Sequence, residues 1–262
     1  MRILTYILLF LSLSGCEGIL NLDLLGNGDI QEQNRTNLLR FNGTVTAVQL
    51  SDNFTLEIYP SDVQKLFVEA DANLQPFVIT ELERGRLIVR RKGNFNLISQ
   101  KPVLIRLYTP ELLVIDVLSP GRVRVNSMEQ EYMKVHVTSS ANVSFSDVLI
   151  EHLDLRNEGS GRLNVQGHFE RCSIYQVGSG EIVLQGIAQS CSIVQEGSGM
   201  VDGSSFIAYA AEISLFGSGL IYCNVHDNLN VKIAGEGRVF YSGSANVTSQ
   251  ISGGGDLIYF EH

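Results

Sequence analysis

The tripeptide Gly-Ser-Gly stands at residues 159–161, 178–180, 197–199 and 217–219. Related triplets are Gly235-Glu236-Gly237 and Gly253-Gly254-Gly255, preceded by Ser119-Pro120-Gly121 and Ser139-Ser140-Ala141. With the third residue of each as marker, the series runs 121, 141, 161, 180, 199, 219, 237 and 255, in steps of 18 to 20 residues. Two residues after the marker stand Val123, Val143, Leu163, Ile182, Val201, Ile221, Val239 and Leu257, all aliphatic. At 44% hydrophobic composition, eight of eight has a chance probability on the order of 0.001. Six before the marker stand Ile115, Val135, Leu155, Ile174, Ile193, Ile213, Val231 and Ser249. Apolar residues therefore recur at period 2 on both sides of a glycine turn, which means strands with one face inward. No 3.6-residue period runs through these segments, so a helical reading fails.

A strand, a glycine turn and another strand in about 19 residues, repeated eight times, is the signature of a parallel β-solenoid. A β-sandwich would also supply many short strands, but it would not demand the same turn chemistry at a fixed period. On this reading the glycines stand at the corner because a tight turn needs positive φ and no Cβ. One coil buries only four or five apolar side chains, too few to offset the entropy of ordering its residues. Coils must therefore stack to fold. The fold class is all-β, a parallel β-helix whose regular coils run from about residue 111 to 262. Residues 37–110 lack Gly-Ser-Gly but alternate in most segments, as in Phe54-Thr55-Leu56-Glu57-Ile58 and Leu87-Ile88-Val89. They are read as irregular front strands of the same domain, 37–262.

The chain opens Met1-Arg2 and continues with eleven mostly apolar residues to Leu13. One positive charge and a short apolar run make a signal-peptide pattern, too short to span a bilayer. Leu13-Ser14-Gly15-Cys16 resembles the bacterial lipobox. That resemblance implies a signal peptide over 1–15, cleavage after Gly15 and acyl chains on Cys16, which would join the protein to a membrane. Glu17 stands where an Asp would signal inner-membrane retention, so the expected location is the outer membrane of the cell envelope. Residues 16–36 turn polar and Gly-containing after Leu25 and read as a tether.

The layout also resembles the bacterial family described as "putative auto-transporter adhesin, head GIN domain". Phe41-x-Gly43, Phe54-Thr55-Leu56-Glu57-Ile58, Gly85-Arg86-Leu87-Ile88-Val89, Thr109-Pro110-Glu111-Leu112 and the following Gly-Ser-Gly coils carry the likeness, over about residues 37–260. It implies a right-handed β-helix on a secreted or lipid-anchored envelope protein, and it brings no catalytic motif.

Chemistry is sparse. The formal charge of −9 disfavours nucleic acid as a partner. Cys172, Cys191 and Cys223 fall at inward positions, where cysteine behaves as a small hydrophobe. Cys172 and Cys191 would lie about 5 Å apart in adjacent coils, within disulfide reach, although in-register parallel side chains disfavour the required torsion. No cysteine pair has zinc-ligand spacing. The five histidines, His136, His152, His168, His226 and His262, read as solvated. No Gly-x-Ser-x-Gly elbow and no phosphate loop is present. No catalytic residue, metal or cofactor is called for. A carbohydrate-active β-helix enzyme is the competing class, and it would need carboxylates gathered on one outer face. The outward acids Asp154, Glu181, Asp202, Glu212 and Asp256 are scattered. A purely structural envelope component is the third reading.

Three features remain. Asn157, Gln176 and Gln195 share one phase and should stack as a self-satisfying amide ladder. Leu220, Tyr222, Phe240 and Ile258 should form an outward apolar stripe, a candidate contact patch for a glycan or protein ligand. The last strand lies at the end of the repeat series, so an open solenoid end that pairs copies into a homo-oligomer is a further expectation. The basic segment 81–106 reads as a solvated hairpin.

Overall fold

The computed structural model describes residues 29–30, 35–40, 43–94, 96–97, 99 and 101–261. The signal-peptide pattern, Cys16 and most of the tether lie outside these residues. The described chain is a β-solenoid of about 7 turns with coils of roughly 20 residues. Four strands, Asn142–Asn157, Arg162–Gln176, Glu181–Gln195 and Met200–Leu215, are each nearly a full coil long and stack parallel, with register shifts only between Phe145 and Val148 and between Val183 and Gln185.

Within a coil the burial alternates along each face, as the sequence period requires. In Arg162–Gln176 the inward residues are Leu163, Val165, Gly167, Phe169, Cys172, Ile174 and Gln176. The alternation slips once, where Glu170 and Arg171 both face out. That outward pair makes a second, open corner opposite the Gly-Ser-Gly corner.

The inward residues form pillars. Val123, Val143, Leu163, Ile182, Val201, Ile221, Val239 and Leu257 occupy matching places in successive coils. Leu56 and Ile105 extend this column at its other end. Ile115, Val135, Leu155, Ile174, Ile193, Ile213 and Val231 form the second column, extended by Val48 and Leu87.

These extensions move the start of the regular stack. Coils were expected from about residue 111, with irregular strands before it. Instead, Ala47–Leu50 with Thr55–Pro60 form one rung, and Arg86–Arg91 with Leu104–Thr109 form another. The first of these lies between the second and the rung of Val114–Val117 and Arg122–Asn126. Spatial order therefore departs from chain order. The chain lays down an inner rung, descends to the end of the stack, and returns above its starting point. Antiparallel strands close that end: Val78–Glu83 against Arg86–Arg91, Lys65–Asp71 against Leu104–Thr109, and Arg35–Leu39 against Lys65–Asp71.

The corner glycines answer to a different constraint from the expected positive φ. Among them only Gly235 and Gly253 adopt it. At most of the others the backbone of the coil below is the obstacle. A Cβ on Gly178 would meet the Gly159 carbonyl oxygen at 1.9 Å, and one on Gly161 would meet the Ala141 oxygen at 2.0 Å. Side-chain-free corners let the backbone ladder continue around the turn, with Glu181 N–H donating to Gly161 O at 3.1 Å and Met200 N–H to Gly180 O at 3.1 Å.

A methyl group at this contact has no flexible neighbour to displace. Gly178→Ala should cost about 2–4 kcal/mol of unfolding free energy in urea melts. Gly254→Ala, whose Cβ meets only the movable Glu236 carboxylate, should stay within about 1 kcal/mol of the parent.

Candidate functional site

Parallel stacking turns a residue phase into a surface column, and this assembles the outward stripe. Val183, Asp202, Tyr222, Phe240 and Ile258 occupy one column in five successive coils. Met200, Leu220 and Arg238 form the column beside it. All four residues of the expected patch, Leu220, Tyr222, Phe240 and Ile258, are thus neighbours. The Tyr222 and Phe240 rings stack with centroids 4.8 Å apart and planes 10° apart. Phe260 joins them edge-on to Tyr222 at 6.2 Å. Leu220, Tyr222 and Phe240 are half-buried and Ile258 is exposed. The front strands sit at the far end of the stack and do not cover the stripe; what covers it in part is Phe260. Phe260 was missed because it lies beyond the last strand, Asp256–Tyr259, where the strand period gives no direction.

A second surface feature was also missed. Glu129, Glu131, Glu151 and Glu170 line one hollow of about 610 Å³, with Leu149, Ile150, His168, Phe169 and Ile187. Glu131, Glu151 and Glu170 stand 20 and 19 residues apart, so the repeat period itself could have found them. They escaped because they lie at the open corner, far from the glycine marker. Among the described residues, no group of three or more His, Cys, Asp or Glu is placed to hold a metal ion.

The model of the family described as "Putative auto-transporter adhesin, head GIN domain" matches residues 44–245. The chain belongs to this family. Solved structures share the fold. A putative adhesin from Parabacteroides merdae ATCC 43184 is 20% identical, with a TM-score of 0.79 over 90% of this chain and 100% of that one. A putative lipid binding protein from Parabacteroides distasonis ATCC 8503 is also 20% identical, with a TM-score of 0.80 over 90% and 100%. A putative adhesin from Bacteroides fragilis NCTC 9343 is 18% identical, with a TM-score of 0.65 over 87% and 98%. None of the curated proteins matches the sequence.

The remaining polar candidates in this head GIN domain are structural. Asn157, Gln176 and Gln195 are fully buried. The Asn157 amide donates to Gln176 Oε1 at 3.0 Å, after which the ladder turns inward on the corners. Gln176 donates to Gly180 O at 3.1 Å and Gln195 to Gly199 O at 2.5 Å. These amides brace the glycine corners from inside. Arginines of the basic segment are largely paired: Arg86 with Asp116, Arg90 with Glu81, Arg91 with Asp52, and Arg106 with Glu57 and Glu69. Arg124 shares Glu57 with Arg106 across coils. Stacked rows of opposite charge stabilise the sheet modestly.

The cysteines carry no chemistry either. Cys172, Cys191 and Cys223 are buried free thiols, so Cys172 and Cys191 stack in register without a bond. A hydrogen bond with Cys191, together with burial, holds the Cys172 thiol well above the usual range. Burial pushes Cys223 up to about 12. A raised pKa keeps the thiol protonated and unreactive. In the folded protein these three cysteines should resist Ellman's reagent even at pH 9, and all three should react once the protein is unfolded in guanidinium. Rapid labelling of Cys223 in the native state would contradict this burial.

Proposed function

We propose that this protein is a non-catalytic, lipid-anchored protein of the bacterial cell envelope that acts by adhesion through the side of its solenoid. The observation that carries the reading is the Tyr222–Phe240 ring stack, bordered by Leu220 and Ile258 on a rigid outer face. Soluble proteins rarely expose contiguous apolar area without a partner for it. Aromatic faces suit either the C–H face of a sugar ring or an apolar protein side chain, and the ladder beneath fixes their spacing. Family membership supports the reading, since the family description and two of the similar structures carry the word adhesin.

The anchor and the location rest on the sequence. Leu13-Ser14-Gly15-Cys16 supplies the lipidation site, and Glu17 in place of Asp favours the outer membrane. The family match begins at residue 44, which leaves the intervening segment to serve as a tether. Metabolic labelling with palmitate should mark the parent protein and leave Cys16→Ser unlabelled. Equal labelling of both would remove the anchor from the proposal.

A second reading has one observation in its favour. The hollow of Glu129, Glu131, Glu151 and Glu170 gathers carboxylates on one outer face, as a carbohydrate-active enzyme would require. Release of new reducing ends from a polysaccharide panel would support that reading and overturn the non-catalytic one.

The adhesion reading is tested with the full chain on an array of glycans and matrix proteins. Tyr222→Ser combined with Phe240→Ser should reduce binding of any captured ligand at least about tenfold, the effect expected when central aromatic contacts are removed. Unchanged binding by this double variant would sink the patch as the adhesive surface.

A further inference from the structure

Stacking builds two neighbouring columns at the open corner. Glu129, Leu149, His168, Ile187 and Ile207 follow one another through five successive coils. Glu131, Glu151 and Glu170 form the column beside them. Their register is fixed by the flanking pairs Gln130–Ile150 and Tyr132–His152, then Ile150–Phe169 and His152–Arg171. Both columns line the same hollow.

The wall of this hollow is apolar and open to solvent. Leu149 is 50% exposed, and Ile207, one coil beyond the hollow in the same column, is 42% exposed. Ile187 between them is half-buried. The rim is acidic. Glu129, Glu131, Glu151 and Glu170 are all exposed, and among the described residues none of the four carboxylates makes an ion pair or a hydrogen bond. No Lys or Arg lines the hollow. Arg171, next to Glu170 in the chain, turns to His152 instead. Other outward acids are matched: Glu57 lies between Arg106 and Arg124, and Glu181 pairs with Arg162. Rungs lie about 4.8 Å apart, so the glutamate column places like charges directly opposite one another, which weakens a sheet.

We propose that this hollow docks a basic, amphipathic polypeptide segment. Its Lys or Arg side chains would meet the glutamate column while its aliphatic side chains cover Leu149 and Ile187. Charge complementarity selects this occupant. A single metal ion does not suit the arrangement, because among the described residues no three His, Cys, Asp or Glu converge on one point. Carboxylates spread over several rungs call for cations spread along a chain. Lys and Arg fit both surfaces at once, since their methylene stems cover apolar area while the charged ends reach the rim. A purely cationic polymer would leave the aliphatic wall in water, and a neutral glycan would leave the carboxylates uncompensated. This docking role goes beyond the adhesion reading. It uses no part of the Tyr222–Phe240 face and gives the hollow a partner in place of a substrate, so its failure leaves that reading standing.

Fluorescence anisotropy of a short labelled peptide alternating Lys and Leu, titrated with the full chain, tests the proposal. The parent should bind, and binding should weaken as salt screens the rim. Glu131→Gln with Glu151→Gln and Glu170→Gln should weaken it at least about tenfold. Glu111→Gln with Asp154→Asn and Glu212→Gln changes the net charge equally at other places and should leave the affinity within about twofold of the parent. Leu149→Ser with Ile187→Ser should weaken binding while the glutamates remain. Should that pair unfold the protein, the parent's affinity for an all-Lys peptide tests the wall instead, and it should be clearly the lower of the two. A parent that does not bind the Lys-Leu peptide overturns the proposal, as does equal weakening by the two sets of acid substitutions. If the all-Lys peptide or spermidine bound as tightly, the site would belong to cations alone and the proposal would fall.

Discussion

The fold depends on one close contact, repeated: a corner glycine lying against the carbonyl of the coil beneath it. Gly178 on Gly159 and Gly161 on Ala141 leave no room for a methyl group. Because no side chain separates the corners, adjacent coils can approach to strand spacing through the turn as well as along the faces. Register then follows. A one-residue slip would put each side chain on the wrong face, and the register shifts that do occur lie away from the glycine corners, as between Phe145 and Val148 or Val183 and Gln185. Val123 through Leu257 become a continuous pillar only because every corner holds its coil at the same phase. Buried amides complete the device, since Gln176 and Gln195 donate to the corner carbonyls of Gly180 and Gly199 from inside.

The non-sequential order at the front has a consequence for assembly. Val48 pairs with both Leu87 and Ile115, so the rung that carries it gains its two neighbours from distant parts of the chain. The coils from Glu129 onward pair only with coils near in sequence. Repeat proteins of that local kind can grow by addition of neighbours, whereas non-local pairing must first meet the cost of closing long loops. The end that carries the antiparallel strands is thus the topologically complex part of the molecule.

Function in such an architecture is written on the outside of a constant frame. The inward columns admit little but aliphatic residues, small thiols and amides that donate to the corner carbonyls. Outward positions are free to vary, and stacking turns any repeated choice into a stripe. Three kinds of stripe result here: opposite charges, as in Arg106–Glu57–Arg124; carboxylates at the open corner; and the aromatic and aliphatic face of Leu220, Tyr222, Phe240 and Ile258. Only the last two leave surface chemistry unspent. The polar rows largely neutralise themselves.

Much of this was legible from residues alone. The glycine marker and the period-2 columns are local patterns, and they determined the strand content, the coil length, the inward residues and the neighbours in the aromatic stripe. The rungs formed by 47–60 and 86–109 were not legible as coils, because Ser51-Asp52-Asn53-Phe54 and the long 92–103 connection replace the glycine corner. Their alternation shows strands and does not say which strand each will pair with. The column Glu131, Glu151 and Glu170 kept the repeat spacing but lay at a corner that carries no signature residue. Periodicity therefore decided what each residue faces, because alternation is a property of a single strand. The order of rungs and the crowding that makes the corner glycines indispensable were settled only in three dimensions, because each depends on which backbone lies next to which.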